Sequence, residues 1–123
     1  MLSAAAAALL AAVAAARADT NITTSTSTAL VTSSAGDISI ATSGGIGLTT
    51  AATPVVTINS NKFLNNSGFI ANTGITDAVG ILIDTSGGNL FPPSAGLIST
   101  GTIDLAGNGT GKRGIFITGG NTF

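Results

Sequence analysis

The chain has no cysteine, histidine, tryptophan or tyrosine, and its five acidic residues are all aspartate: Asp19, Asp37, Asp77, Asp84 and Asp104. Without thiol or imidazole it offers no Cys or His nucleophile and no thiolate or imidazole metal site. The lack of cysteine also removes a disulfide framework as a source of stability, and says nothing against export. Charged residues make up 7% of the chain, against about 25% in an ordinary soluble domain. The basic set, Arg17, Lys62, Lys112 and Arg113, is too sparse to follow a phosphate backbone, which argues against nucleic acid as a partner. Such a chain has to be held by backbone hydrogen bonds and stacked apolar side chains. Thr, Ser, Asn and Gly supply its uncharged polar surface.

Residues 2–16, LSAAAAALLAAVAAA, form an apolar run shorter than the roughly 20 residues a membrane-spanning helix needs. Ala16 and Ala18 then flank Arg17 in a small-x-small pattern ahead of Asp19. The expectation is a helical, Ala-rich signal peptide over 1–18, cleaved before Asp19. Its departure from the usual pattern is a leading region without Lys or Arg. Residues 19–35 follow as a Thr/Ser-rich lead-in or cap, in which Thr24, Thr26 and Thr28 alternate as on a strand with one polar face. A threonine face of this kind can bind ice, but the ladder does not recur further along.

From residue 36 to 123 the chain repeats itself. Gly68, Phe69, Ile70 returns as Gly101, Thr102, Ile103, with an earlier echo at Gly36, Asp37, Ile38. Gly80, Ile81, Leu82, Ile83 returns as Gly114, Ile115, Phe116, Ile117. Short apolar runs that recur at a nearly constant spacing mark a repeat architecture. A helical repeat would need Ala, Leu, Glu and Lys at helix spacing; β-branched residues and glycine dominate here instead. Short strands are expected at DISIA, IGLTT, PVVTIN, KFLNN, GFIAN, VGILID, GLIST, GTIDL and GIFIT, several alternating with period two. The fold class is therefore all-β, a sheet coiled on itself over about three turns. Equivalent residues would stack about 4.8 Å apart: Ile70 over Ile103 and Ile83 over Ile117 inside, Asn89 over Asn121 in a turn ladder. The segment 89–94, with Pro92 and Pro93, is expected to bulge from a corner.

The Ala-rich leader, the Thr/Ser lead-in and the phrases VVTINSN, NNSGFI, GILIDTSGG and GKRGIFITGG resemble the start of the passenger region of bacterial autotransporter outer-membrane proteins. The resemblance covers residues 36–121. It implies a right-handed parallel β-helix displayed on the surface of a Gram-negative cell, carried there by a C-terminal translocator barrel of the same polypeptide. Host or cell-surface ligands are a further implication. No run of barrel strands with aromatic girdles is present in the sequence, so the expectation is an N-terminal part of a longer chain.

Reactive constellations are weak. Gly109, Gly111 and Gly114 satisfy G-x-G-x-x-G, but the motif opens the strand GIFI rather than a helix. As a phosphate loop it also fails, with Ala106 and Arg113 in the wrong places. Lys112 and Arg113 are read as a solvated loop pair, and Asp84 and Asp104 as turn or strand-end residues. No metal or cofactor site is expected. The functional expectation is a structural, non-catalytic stalk that presents or spaces an adhesive or effector region. The alternative is the start of a carbohydrate-active β-helix enzyme of the polysaccharide-lyase kind, its groove lying elsewhere.

Overall fold

The computed structural model describes residues 18–74, 76–86 and 96–119. Its strands are β1 (Thr20–Ile22), β2 (Ser25–Thr26), β3 (Leu30–Val31), β4 (Ile38–Ile40), β5 (Gly45–Leu48), β6 (Pro54–Ile58), β7 (Phe63–Asn66), β8 (Phe69–Asn72), β9 (Val79–Asp84), β10 (Gly96–Ser99), β11 (Thr102–Asp104) and β12 (Arg113–Thr118). A single helical turn, α1 (Thr32–Ala35), follows β3. The strands sort into three four-stranded sheets: β1-β4-β7-β10, β2-β5-β8-β11 and β3-β6-β9-β12. Every pairing within them is parallel. Successive strands thus step from one sheet to the next and return after three, so the backbone coils.

The sheets each hold four strands, one turn more than the three or so expected. The additional turn is the Thr/Ser-rich lead-in itself: β1, β2 and β3 pair with β4, β5 and β6. Threonine hid it, because β-branched side chains suit a strand without announcing a core. Nor do Thr24, Thr26 and Thr28 share one strand face. β2 is only two residues long, and Thr26 stands opposite Ile46, at the head of an inward column.

The nine later strands lie where short apolar runs were expected, because alternation gives each one an inward face, buried in β4 to β9. Inward columns run Ile38, Leu64, Leu97 on the first sheet, Ile46, Ile70, Ile103 on the second, and Val56, Ile81, Ile115 and Ile58, Ile83, Ile117 on the third. Ile70 therefore faces Ile103, and Ile83 faces Ile117. Ile38, Ile46, Val56, Leu64, Ile70 and Ile81 are fully buried, each contributing roughly 1.5–3 kcal/mol of apolar transfer. Along the last two columns burial falls at the final turn: Ile81 is 0% exposed and Ile115 49%, Ile83 5% and Ile117 48%.

The register corrects the repeat. Gly36, Asp37, Ile38 is not the forerunner of Gly68, Phe69, Ile70, since Ile38 lies on the first sheet opposite Leu64. The true forerunner is Gly44, Gly45, Ile46, with Gly45 opposite Phe69 and Ile46 opposite Ile70. The spacing is accordingly not fixed: Ile70 follows Ile46 after a visibly shorter stretch of chain than the one that separates it from Ile103. Gly44, Gly68 and Gly101 form a column at the corner between the first and second sheets. Only two residues turn that corner between β7 and β8, and again between β10 and β11. A Cβ on any of the three would collide with a backbone carbonyl of the preceding turn, at Ile22, Gly44 and Gly68 respectively.

Candidate functional site

A functional site in a coil of this kind has to form on an outer face or interrupt an inward column, so its polar side chains show where one could lie. Among the described residues four polar ones are buried: Thr32, Asn66, Asn72 and Thr85. The Thr32 hydroxyl accepts from the Asn59 N–H at 3.1 Å and the Ser60 hydroxyl at 2.8 Å. Thr85 Oγ1 donates to the Thr118 carbonyl at 2.8 Å. Asn72 Nδ2 donates to the carbonyls of Thr50 and Thr53, at 3.2 and 2.8 Å, while its Oδ1 accepts from the Gly74 N–H at 2.9 Å. All three residues therefore fasten backbone at corners.

Asn66 differs. It takes the inward position below Ile40 and above Ser99, and Nδ2 reaches Ser99 Oγ at 3.2 Å and the Thr102 carbonyl at 3.4 Å. Its Oδ1 is buried without a hydrogen-bond partner. The sequence does not single out these amides, because their successors one turn on, Ser99 and the residues after β11, break the asparagine pattern. Asn89 and Asn121, where an amide ladder was expected, lie outside the described residues, as does the corner segment 89–94.

Carboxylates begin the first sheet. Asp19 Oδ1 accepts the Asp37 N–H at 3.1 Å, and Asp37 Oδ1 accepts the Phe63 N–H at 3.0 Å. Each side chain thus caps the same position on the following turn. Lys62 Nζ stands 3.8 Å from Asp37 Oδ2, both side chains partly exposed, an ion pair of the kind worth about 0–1 kcal/mol. Ala18, beside Asp19, is exposed, while Ala16 lies outside the described residues. Asp84 ends β9 and Asp104 ends β11, on different sheets. The Ser86 hydroxyl and then the Ser86 N–H, at 3.0 Å from Oδ1, hold the Asp84 carboxyl below its ordinary range. Among the described residues no three acidic groups come together to hold a metal ion.

Of the expected solvated pair, Arg113 is exposed, at the start of β12, but Lys112 is engaged. Lys112 Nζ donates to the carbonyls of Ala106 and Leu105, at 2.6 and 3.1 Å, pinning the connector between β11 and β12 from within. The Arg113 guanidinium lies 4.3 Å from the centre of the Phe116 ring, a cation–π geometry. Gly109, Gly111 and Gly114 belong to this connector and to β12, so the glycine motif does open a strand.

The second sheet carries one apolar feature outside. The Phe69 ring lies over Gly45, where any Cβ would strike it. Next to it, Gly47 and Ala71 keep that face flat. Among the described residues no helix is long and apolar enough to cross a membrane. Among the described residues Asp19, Asp37, Asp84 and Lys112 are engaged with the backbone, and these contacts help keep the turns in register. Comparison with protein-family models, with curated proteins and with solved structures returns no match.

Proposed function

We propose that the chain is a stretch of right-handed parallel β-helix serving as a non-catalytic stalk of the autotransporter passenger kind, exported and displayed at the surface of a Gram-negative cell. The observation that carries this reading is the set of inward aliphatic columns, which continue from turn to turn while Thr32, Asn72 and Thr85 fasten corners. Such a coil extends by about 4.8 Å per turn and transmits position rather than chemistry. The right hand is supported by the strong preference for right-handed crossovers between parallel strands. In this reading the leader up to Ala18 directs export, a translocator barrel of the same polypeptide anchors the stalk, and an adhesive or effector region rides on it.

The test is to produce the full chain in a Gram-negative host, fused ahead of a translocator barrel. Amino-terminal sequencing should begin at Asp19, and protease added to intact cells should remove the passenger. A product that keeps Met1 and stays inside the cell would refute the export reading. Cleavage of an acidic polysaccharide by the purified chain would refute the non-catalytic one.

A further inference from the structure

We infer that Asn108 is an acceptor site for an asparagine-linked glycan. The acceptor pattern Asn-x-Ser/Thr, with x not proline, occurs at Asn21-Ile22-Thr23, at Asn65-Asn66-Ser67 and at Asn108-Gly109-Thr110. Transfer requires the asparagine amide and the hydroxyl two residues later to enter an enzyme site together, on backbone that can bend into it. The first two asparagines fail that requirement in the folded coil. Asn21 is paired to Ser39 within β1, and Asn65 lies between Ser39 and Ile98 in the middle of its sheet. The central residue of the second triplet, Asn66, is fully buried.

Asn108 meets the requirement. It stands in the connector between β11 and β12, and both it and Thr110 are exposed. Among the described residues neither side chain makes a hydrogen bond, whereas Asn59, Asn66 and Asn72 all bond within the coil. The connector is anchored ahead of the triplet and at its last residue. Lys112 holds the carbonyls of Leu105 and Ala106, and the Asp77 N–H donates to the Thr110 carbonyl at 2.9 Å. Gly107 and Gly111, at φ of +110° and +72°, flank the triplet in a backbone conformation that glycine takes readily, and Gly109 at its centre brings no side chain to obstruct approach.

The chemistry is a substitution at the sugar. Asn108 Nδ2 attacks the anomeric carbon of a polyprenyl-pyrophosphate-linked saccharide, the bond from that carbon to the phosphate oxygen breaks, and polyprenyl pyrophosphate departs. The amide proton passes to a base of the transferring enzyme, and nothing is oxidised or reduced. Use of the site in a cell rests on the exported reading above, but the competence of the folded acceptor does not. The two are therefore tested separately.

The experiment incubates the purified full chain with an oligosaccharyltransferase and its lipid-linked oligosaccharide, folded in one arm and urea-unfolded then diluted in the other, with intact-mass and site-mapping readouts. The folded chain should gain a single glycan, at Asn108. Asn108→Gln and Thr110→Ala should abolish it, and Asn21→Gln should leave it unchanged. Thermal melting of the two abolishing variants alongside the parent chain checks that loss reflects the acceptor and not the fold. No addition to the folded chain, or addition confined to Asn21 or Asn65, would overturn the inference, whatever amino-terminal sequencing shows about export.

Discussion

Replacing Gly68 by alanine tests whether the corner glycines set how closely the turns approach. An alanine Cβ at that position would run into the carbonyls of Gly44 and Ala41 and stand 2.9 Å from Ile40 Cγ2. Two of these obstacles are backbone of the turn before, so no rotamer relieves them. The third turn must lift away at that corner, stretching the Ser67 N–H to Ile40 carbonyl bond, now 2.8 Å, and the Phe69 N–H to Gly44 carbonyl bond, now 3.2 Å. Overpacking costs about 1–3 kcal/mol and each of the two weakened bonds about 1 kcal/mol, giving roughly 4 kcal/mol in all. For a chain of this size that is about 15 °C in Tm. The control is Gly47→Ala on the adjoining strand, where the nearest atom is Phe69 Cε2 at 3.9 Å. It should be neutral or stabilising by about 0.5 kcal/mol, because alanine has less unfolded-state entropy to lose. Urea unfolding followed by circular dichroism reads both. Should Gly68→Ala prove too unstable to purify, Gly101→Ala makes the same collision on the last turn and is expected to be milder. Equal midpoints for Gly68→Ala and Gly47→Ala would refute the close-approach argument.

Ile81→Ala should cost about 3–4 kcal/mol and Ile115→Ala less than half as much, because the first is fully buried and the second 49% exposed in the same column; similar losses in urea unfolding would contradict that ordering. Asn66→Leu should be neutral or stabilising by up to about 1 kcal/mol, since it removes the orphaned Oδ1. Asn72→Leu should cost about 2–3 kcal/mol, since it strands three backbone groups at a corner. Calorimetric Tm values that reverse this order would count against the burial argument. The pH response follows from Asp84, whose folded pKa is depressed by Ser86. Its contribution is present above the unfolded carboxylate value of about 3.9 and is lost as pH falls through the lower folded value. Asp84→Asn should therefore flatten the acid limb of a plot of urea midpoint against pH, and an unchanged limb would show that the Ser86 contacts carry no linkage.

Strands were legible because burial on one face imposes alternation: Ile81 and Ile83, or Ile38 and Ile40, write their orientation into the sequence. The pairing of strands was legible only where the repeat happened to be regular. Ile70 with Ile103 and Ile83 with Ile117 are almost equally far apart along the chain, and similar neighbours make each match visible. One turn earlier the spacing shortens, and Gly36 offered a false partner because Gly-x-Ile suits any corner followed by a buried isoleucine. The first turn escaped notice since Thr20 and Thr26 fill inward positions that isoleucine fills below them. The roles of Lys112, Arg113, Asn66 and Asn72 were not readable at all. Each depends on which carbonyl or ring the coil brings near, and that neighbour is set by the folded backbone rather than by any local pattern.

The connectors between β2 and β3, β5 and β6, and β11 and β12 join the second sheet to the third with unequal lengths of chain, yet the sheets on either side stay aligned. Extra sequence is thus shed at the vertices, where loop closure grows only slowly with length, while the aliphatic interior keeps its geometry. Such a scaffold can acquire or lose decoration at one vertex without renegotiating its core, so its surface is free to diverge faster than its shape.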